Sequence, residues 1–132
     1  MNQTAKGTFT VTIQPAAEPD VRDGLSLGPM TLDKVFAGDL VGTGKGQMLT
    51  AMTPVKGSAG YVAIERFSGT VHGKAGSFAL QHSGVMSAAG QSLSIRVVPD
   101  SGSAELTGIA GELAIRIDGG QHFYEFTYTL PR

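Results

Sequence analysis

Glu65 and His82 stand in the stretch GYVAIERFSGTVHGKAGSFALQHSG, residues 60–84, among Val, Ile, Phe and Leu residues that otherwise read as two neighbouring β-strands. A carboxylate beside an imidazole in low-dielectric surroundings holds the ring in one tautomer and leaves the pair poised to move a proton to or from a ligand. The same two residues can instead form a satisfied buried pair that fixes strand register, because a lone charge at either position would be too costly. The choice depends on the elements that position them.

Turn chemistry sets the expected register. With Gly73 and Lys74 as a two-residue loop, glycine first as a type II′ turn requires, Glu65 faces His82, Phe67 faces Leu80 and Gly69 faces Phe78. One face then carries Tyr61, Phe67, Val71, Phe78 and Leu80 together with the Glu65–His82 pair, while Arg66 and Gln81 oppose each other on the other face beside Val62, Ile64 and Val85. A loop at Ala89 and Gly90 pairs Met86 with Leu93, Gly84 with Ile95 and His82 with Val97. A loop at Gly119 and Gly120 pairs Ile117 with His122, Ile115 with Tyr124 and Leu113 with Phe126. His122, Tyr124 and Tyr128 thereby join an apolar face, with Glu112, Arg116, Asp118 and Glu125 on the solvated side.

Period-two alternation runs from end to end, and no helical period outlasts the closely spaced glycines, 19 in all. Strands are expected at 6–14, 30–41, 46–53, 60–72, 76–87, 92–99, 111–118 and 121–130, with PAAEPDVRDGLSLGP, 15–29, as a long irregular connection. Eight antiparallel strands with one apolar face must fold over or close on themselves, and closure removes the edges. The fold class is all-β, a single eight-stranded antiparallel β-barrel over residues 1–132, lipocalin-like in general shape. Such a barrel is just wide enough inside to be filled by side chains or to hold one small ligand.

Composition narrows the partners. Lys plus Arg is 10 against 11 Asp plus Glu, a net charge of -1, so nucleic acid and anionic lipid are not expected partners. The chain has no cysteine, which removes disulfides, thiolate metal sites and thiol nucleophiles. No apolar run is long enough to span a bilayer, and MNQTAKGTFTVTIQP lacks the apolar core of a signal peptide, so a cytoplasmic protein is expected. Glu65, His82 and His122 have the composition of a two-His-one-carboxylate metal site, but without close His-x-His spacing no metal and no cofactor is expected. VGTGKG, 41–46, reads as a Gly-rich hairpin turn, since no helix follows to make it a phosphate loop. No G-x-S-x-G is present.

The strings MTLDKVFAGDLVGTGKGQML, AGYVAIERFSGTVHGKAGSFALQHSG, VVPDSGSAELTGIAGELAI and HFYEFTYTL resemble the DUF3224 family of small bacterial proteins over nearly the whole chain. That resemblance implies a barrel of the allene oxide cyclase type, and GYVAIERFSGTVHGKAGSFAL is loosely similar to a hairpin of the plant cyclases. In those enzymes an epoxide binds in an apolar lumen where a buried glutamate and an ordered water assist cyclisation. The lumen carboxylate here would be Glu65, although the two glutamates do not align residue by residue. Barrels of this class commonly assemble through outer surfaces, which implies a homo-oligomer for the Val62, Ile64 and Val85 face.

Two readings of function remain open. In one, a small apolar molecule with a polar group occupies a lumen lined by Tyr61, Phe67, Phe78, Leu80, His122, Tyr124 and Phe126, and Glu65 with His82 isomerises or cyclises it by acid–base chemistry. In the other, the protein is a non-catalytic oligomeric binding or scaffold protein and the Glu65–His82 pair is structural.

Overall fold

The computed structural model describes residues 2–131. Nine strands follow in order: β1 (Gln3–Pro15), β2 (Asp20–Arg22), β3 (Leu25–Gly38), β4 (Leu40–Met52), β5 (Ala59–Val71), β6 (Lys74–Ser87), β7 (Gly90–Val97), β8 (Ala110–Asp118) and β9 (Gln121–Thr129). A 3₁₀ turn at Ala104–Leu106 separates β7 from β8. Each strand pairs antiparallel with its neighbour in the order β1-β9-β8-β7-β6-β5-β4-β3-β2, and β1 also pairs with β3. That last pairing, with Phe9 opposite Phe36 and Val11 opposite Lys34, closes eight strands into a barrel and leaves β2 as a short ribbon outside it. Among the described residues no helix is long and apolar enough to cross a membrane.

Closure follows from the alternating pattern. Leu32, Lys34 and Phe36 of β3, Glu65 and Phe67 of β5, and Phe78, Leu80 and His82 of β6 are all buried on the inward phase, while the residues between them are exposed or nearly so.

The two ends of the lumen are filled differently. Toward the Asp39 and His72–Gly73 turns, Phe67, Phe78, Phe126 and Tyr128 stack in succession, with centroids 5.0, 5.6 and 5.1 Å apart. Leu106 and Ile109, from the segment around the 3₁₀ turn, are buried in the same cluster and cap it. Toward the other end the inward residues are mostly aliphatic: Val11, Ile13, Leu32, Met48, Leu93, Ile115 and Ile117. They leave a cavity there.

Three expected turns are corrected. The β5–β6 loop is His72–Gly73, with φ of +47° and +80°, so Ala63 faces His82, Glu65 faces Leu80 and Phe67 faces Phe78. Both loop residues have positive φ, as in a type I′ turn, and tertiary bonds hold His72 there. Its amide donates to the Asp39 carbonyl (2.9 Å) and its ring meets the Tyr128 hydroxyl. On the outer face Arg66 consequently faces Ala79, and Gln81 faces Ile64. The β6–β7 loop is Ala88–Ala89 with Gly90 at φ +128°, which sets His82 opposite Ile95 and Gly84 opposite Leu93. Both registers are displaced by an even number, so every side chain keeps its expected face.

The third correction concerns VGTGKG, which lies inside β4; the chain reverses earlier, at Asp39. Residues 15–29 are irregular only over 16–19, because Asp20–Arg22 and Leu25–Leu27 form a hairpin around Asp23–Gly24, both at positive φ. The Gly119–Gly120 hairpin is as expected, with Ile117 opposite His122 and Leu113 opposite Phe126.

Candidate functional site: a buried Lys34–Glu65–His82 cluster under an apolar cavity

Glu65 lies midway along β5, fully buried, with its carboxylate in the lumen between the aromatic plug and the open end. Its Oε1 accepts two hydrogen bonds, one from His82 Nε2 at 2.6 Å and one from Lys34 Nζ at 2.8 Å. Glu65 and His82 are thus diagonal neighbours across β5 and β6, close enough for a charge-assisted bond. Lys34 comes from β3, two strands away, and its ammonium lies 4.9 Å from the Phe9 ring centroid and 5.9 Å from that of Phe36. Lys34 and His82 are only 5% and 3% exposed.

Glycine makes room for this carboxylate. Gly44 of β4, diagonal to Glu65 on the neighbouring strand, lies against it, and a Cβ at that position would collide with Glu65 Oε2 and press on Phe36. Oε2 is fully buried and has no hydrogen-bond partner among the described residues. A native buried oxygen left this way calls for an explanation, of which a functional role is one.

Burial is the largest single influence on the Glu65 carboxyl and would push its pKa up. The hydrogen bond from His82 and the charge of Lys34 outweigh it, and the pKa lies below the ordinary glutamate value. Glu65 is therefore a carboxylate at neutral pH. An ionised carboxylate only accepts, so His82 Nε2 carries a proton, and in the neutral ring the lone pair sits on Nδ1. The phenol of Tyr61, whose ring centroid is 6.3 Å from that of His82, has its pKa raised by burial and secondarily by the charge of Glu65.

Above the cluster lies a cavity of about 560 Å³ bordered by Lys34, His82, Tyr61 and His122 and by the aliphatic residues of the open end. That size is ordinary for a small-molecule site. His122 packs on Phe9, with ring centroids 5.1 Å apart. The wall beside the cavity is thin: β7 and β8 share one paired position, Arg96 with Glu112, an exposed ion pair at 3.0 Å.

The structure therefore brings Glu65, His82, Tyr61 and His122 together and keeps the other expected lining residues apart from the cavity. Phe67, Phe78, Leu80 and Phe126 are fully or almost fully buried in the packed half. The Tyr124 hydroxyl donates to the Ala37 carbonyl (2.9 Å) and accepts from the Leu40 amide (2.7 Å), fastening the β3–β4 reversal. Lys34 goes unremarked among the sequence motifs, although its signal is present: it stands between Leu32 and Phe36 on the inward phase of TLDKVFAG, where a cation needs an anion. Among the described residues no cluster of three or more His, Cys, Asp or Glu could hold a metal ion.

The sequence profile of DUF3224, described as "Protein of unknown function", matches residues 5–128. The chain belongs to the DUF3224 family. A crystal structure of a DUF3224 protein of unknown function from Shewanella oneidensis MR-1 is similar throughout, with 47% identity, 100% of both chains covered and a TM-score of 0.93. No curated protein matches the chain.

Proposed function

We propose that this DUF3224 protein binds a small, mainly apolar molecule bearing one polar group in the open half of its barrel. The observation that carries this reading is the position of Lys34 and His82: both hang from one buried carboxylate oxygen, and both border an apolar cavity of about 560 Å³. A pair serving only as a register lock would be as effective inside the packed half, away from the cavity. The chemistry such a site supports is isomerisation or cyclisation by proton transfer, without a covalent nucleophile.

The uncharged fluorophore 1-aminoanthracene tests the reading. Saturable enhancement of its emission, lost when Leu93→Trp fills the cavity and kept when an outer-face residue such as Gln81 is changed to Ala, is the expected result. No saturable binding to the folded protein would leave the cluster as a structural lock.

A compatible second reading concerns the outer wall. Leu49 and Val62 are paired neighbours there, and with Ile64 and Val85 they are 44–62% exposed and form an apolar patch. Patches of this kind support contact with another copy of the chain. Sedimentation of the wild type beside Ile64→Lys decides it: a shift from oligomer to monomer is expected, and a monomeric wild type overturns it.

A further inference from the structure

We propose that the polar group of the ligand is an uncharged carbonyl with acidic α-hydrogens, a ketone or an aldehyde, and that Lys34 and His82 carry it through its enolate. This rests on the cavity being the ligand site. Charge is the first argument. The Glu65 carboxylate and the Lys34 ammonium cancel, and among the described residues no Asp or Glu borders the cavity. The Arg116 guanidinium at its edge is engaged outside the lumen, 3.2 Å from Asp118 and stacked 4.4 Å from the Phe123 centroid. An anionic head group would meet a Lys34 charge already balanced by Glu65, and would give up hydration against the aliphatic wall. An uncharged one would not.

Donor and acceptor chemistry is the second argument. One of three Lys34 N–H groups goes to Glu65 Oε1, which leaves donors for a carbonyl oxygen. His82 Nε2 is committed to the same oxygen, which leaves Nδ1 with its lone pair as the atom to meet a proton. The lysine donor and the imidazole that carries the base are therefore held by a single acceptor. This suits a group that presents an oxygen to one and an acidic hydrogen to the other.

The step balances within the site. The Nδ1 lone pair takes the α-proton, the C–H electrons become the C=C bond, and the carbonyl π electrons move onto oxygen, where the Lys34 ammonium meets the new charge. The intermediate then holds two cations, Lys34 and the His82 imidazolium, against two anions, Glu65 and the enolate. Return of the proton from Nδ1 to the same or another carbon restores the ring and releases the ketone or its isomer. No co-reactant is consumed.

The uncharged ketone 2-tetralone in D₂O provides the test. Its α-hydrogen exchange is followed by ¹H NMR, and its binding by saturation transfer from the protein in the same sample. With the wild type, exchange is expected at least ~100-fold faster than with free imidazole at the protein's concentration, within the usual range for a positioned base. His82→Gln should return it to the imidazole level, and Leu93→Trp, which leaves the cluster untouched, should do the same if His82→Gln does not fold. Binding without accelerated exchange overturns the enolate proposal and leaves the binding reading standing. So does acceleration that survives in the folded variants, and so does a fatty carboxylate such as octanoate binding more tightly than 2-octanone. Absence of binding by every uncharged and charged probe removes the underlying site itself.

Discussion

Replacing Lys34 by methionine keeps the stem that packs against Phe9 and Phe36 and removes only the charge facing Glu65. Glu65 is then a fully buried carboxylate whose sole remaining partner is His82. Breaking a buried pair from one side costs about 3–5 kcal/mol, because the surviving charge is uncompensated. For 132 residues at ~2.1 cal/mol/K each, the entropy of unfolding is about 0.28 kcal/mol/K, so the loss corresponds to a Tm about 11–18 °C lower. The pH dependence should also weaken. In the wild type the Glu65 pKa is depressed, so its contribution is present above the unfolded value of 4.5 and is lost as pH falls through the folded one. Without Lys34 the raising effect of burial gains ground. The stability lost to the substitution therefore grows as pH rises from about 4 toward 7 and Glu65 ionises. Urea unfolding by circular dichroism at pH 4, 5.5 and 7 measures this directly. A loss under about 1 kcal/mol at pH 7, or a loss that deepens toward pH 4, would refute the buried ion pair as described. Lys34→Met with Glu65→Gln should recover most of the stability, since removing both charges of a buried pair is often neutral.

Other expectations follow from single contacts. Gly44→Ala places a methyl group against Glu65 Oε2 and Phe36 and should cost about 1–3 kcal/mol by overpacking, measured as a lower urea midpoint at unchanged m-value. Tyr124→Phe leaves the Leu40 amide and the Ala37 carbonyl without their shared hydroxyl and should cost about 1–3 kcal/mol, with hydrogen exchange quickening first at the Asp39 reversal. In the wild type, unfolding followed from pH 7 downward should show a Glu65-dependent loss of stability beginning near pH 4.5, absent in Glu65→Gln; an identical acid limb in the two proteins would count against the depressed pKa.

The barrel was legible because its determinants are local and of period two. Alternation placed Glu65, Phe67, Phe78, Leu80 and His82 on one face, and the Gly119–Gly120 pair marked the last reversal. What escaped is instructive in physical terms. The β5–β6 register turned on whether His72 would accept positive φ, and that depends on bonds to Asp39 and Tyr128, distant in sequence. Asp23–Gly24, by contrast, is a strong type I′ signal hidden among prolines. VGTGKG resembles a turn by composition, yet its Gly44 answers to the bulk of Glu65 on the neighbouring strand, which no local rule encodes. Lys34 follows from the alternation of β3 alone, but its partner lies two strands away, so its burial makes sense only after closure.

The division of the lumen links these observations to function. Stability is concentrated where Phe67, Phe78, Phe126 and Tyr128 stack and Leu106 and Ile109 seal the end, so the other half need not be filled for the fold to hold. The Lys34–Glu65–His82 cluster sits at the boundary between the two halves, supported from below by rings and open above to the cavity. A charged cluster on a rigid floor is preorganised: its groups do not have to move when a ligand arrives, and water has few ways to screen them. A cluster buried only to lock the strands would gain nothing from that position.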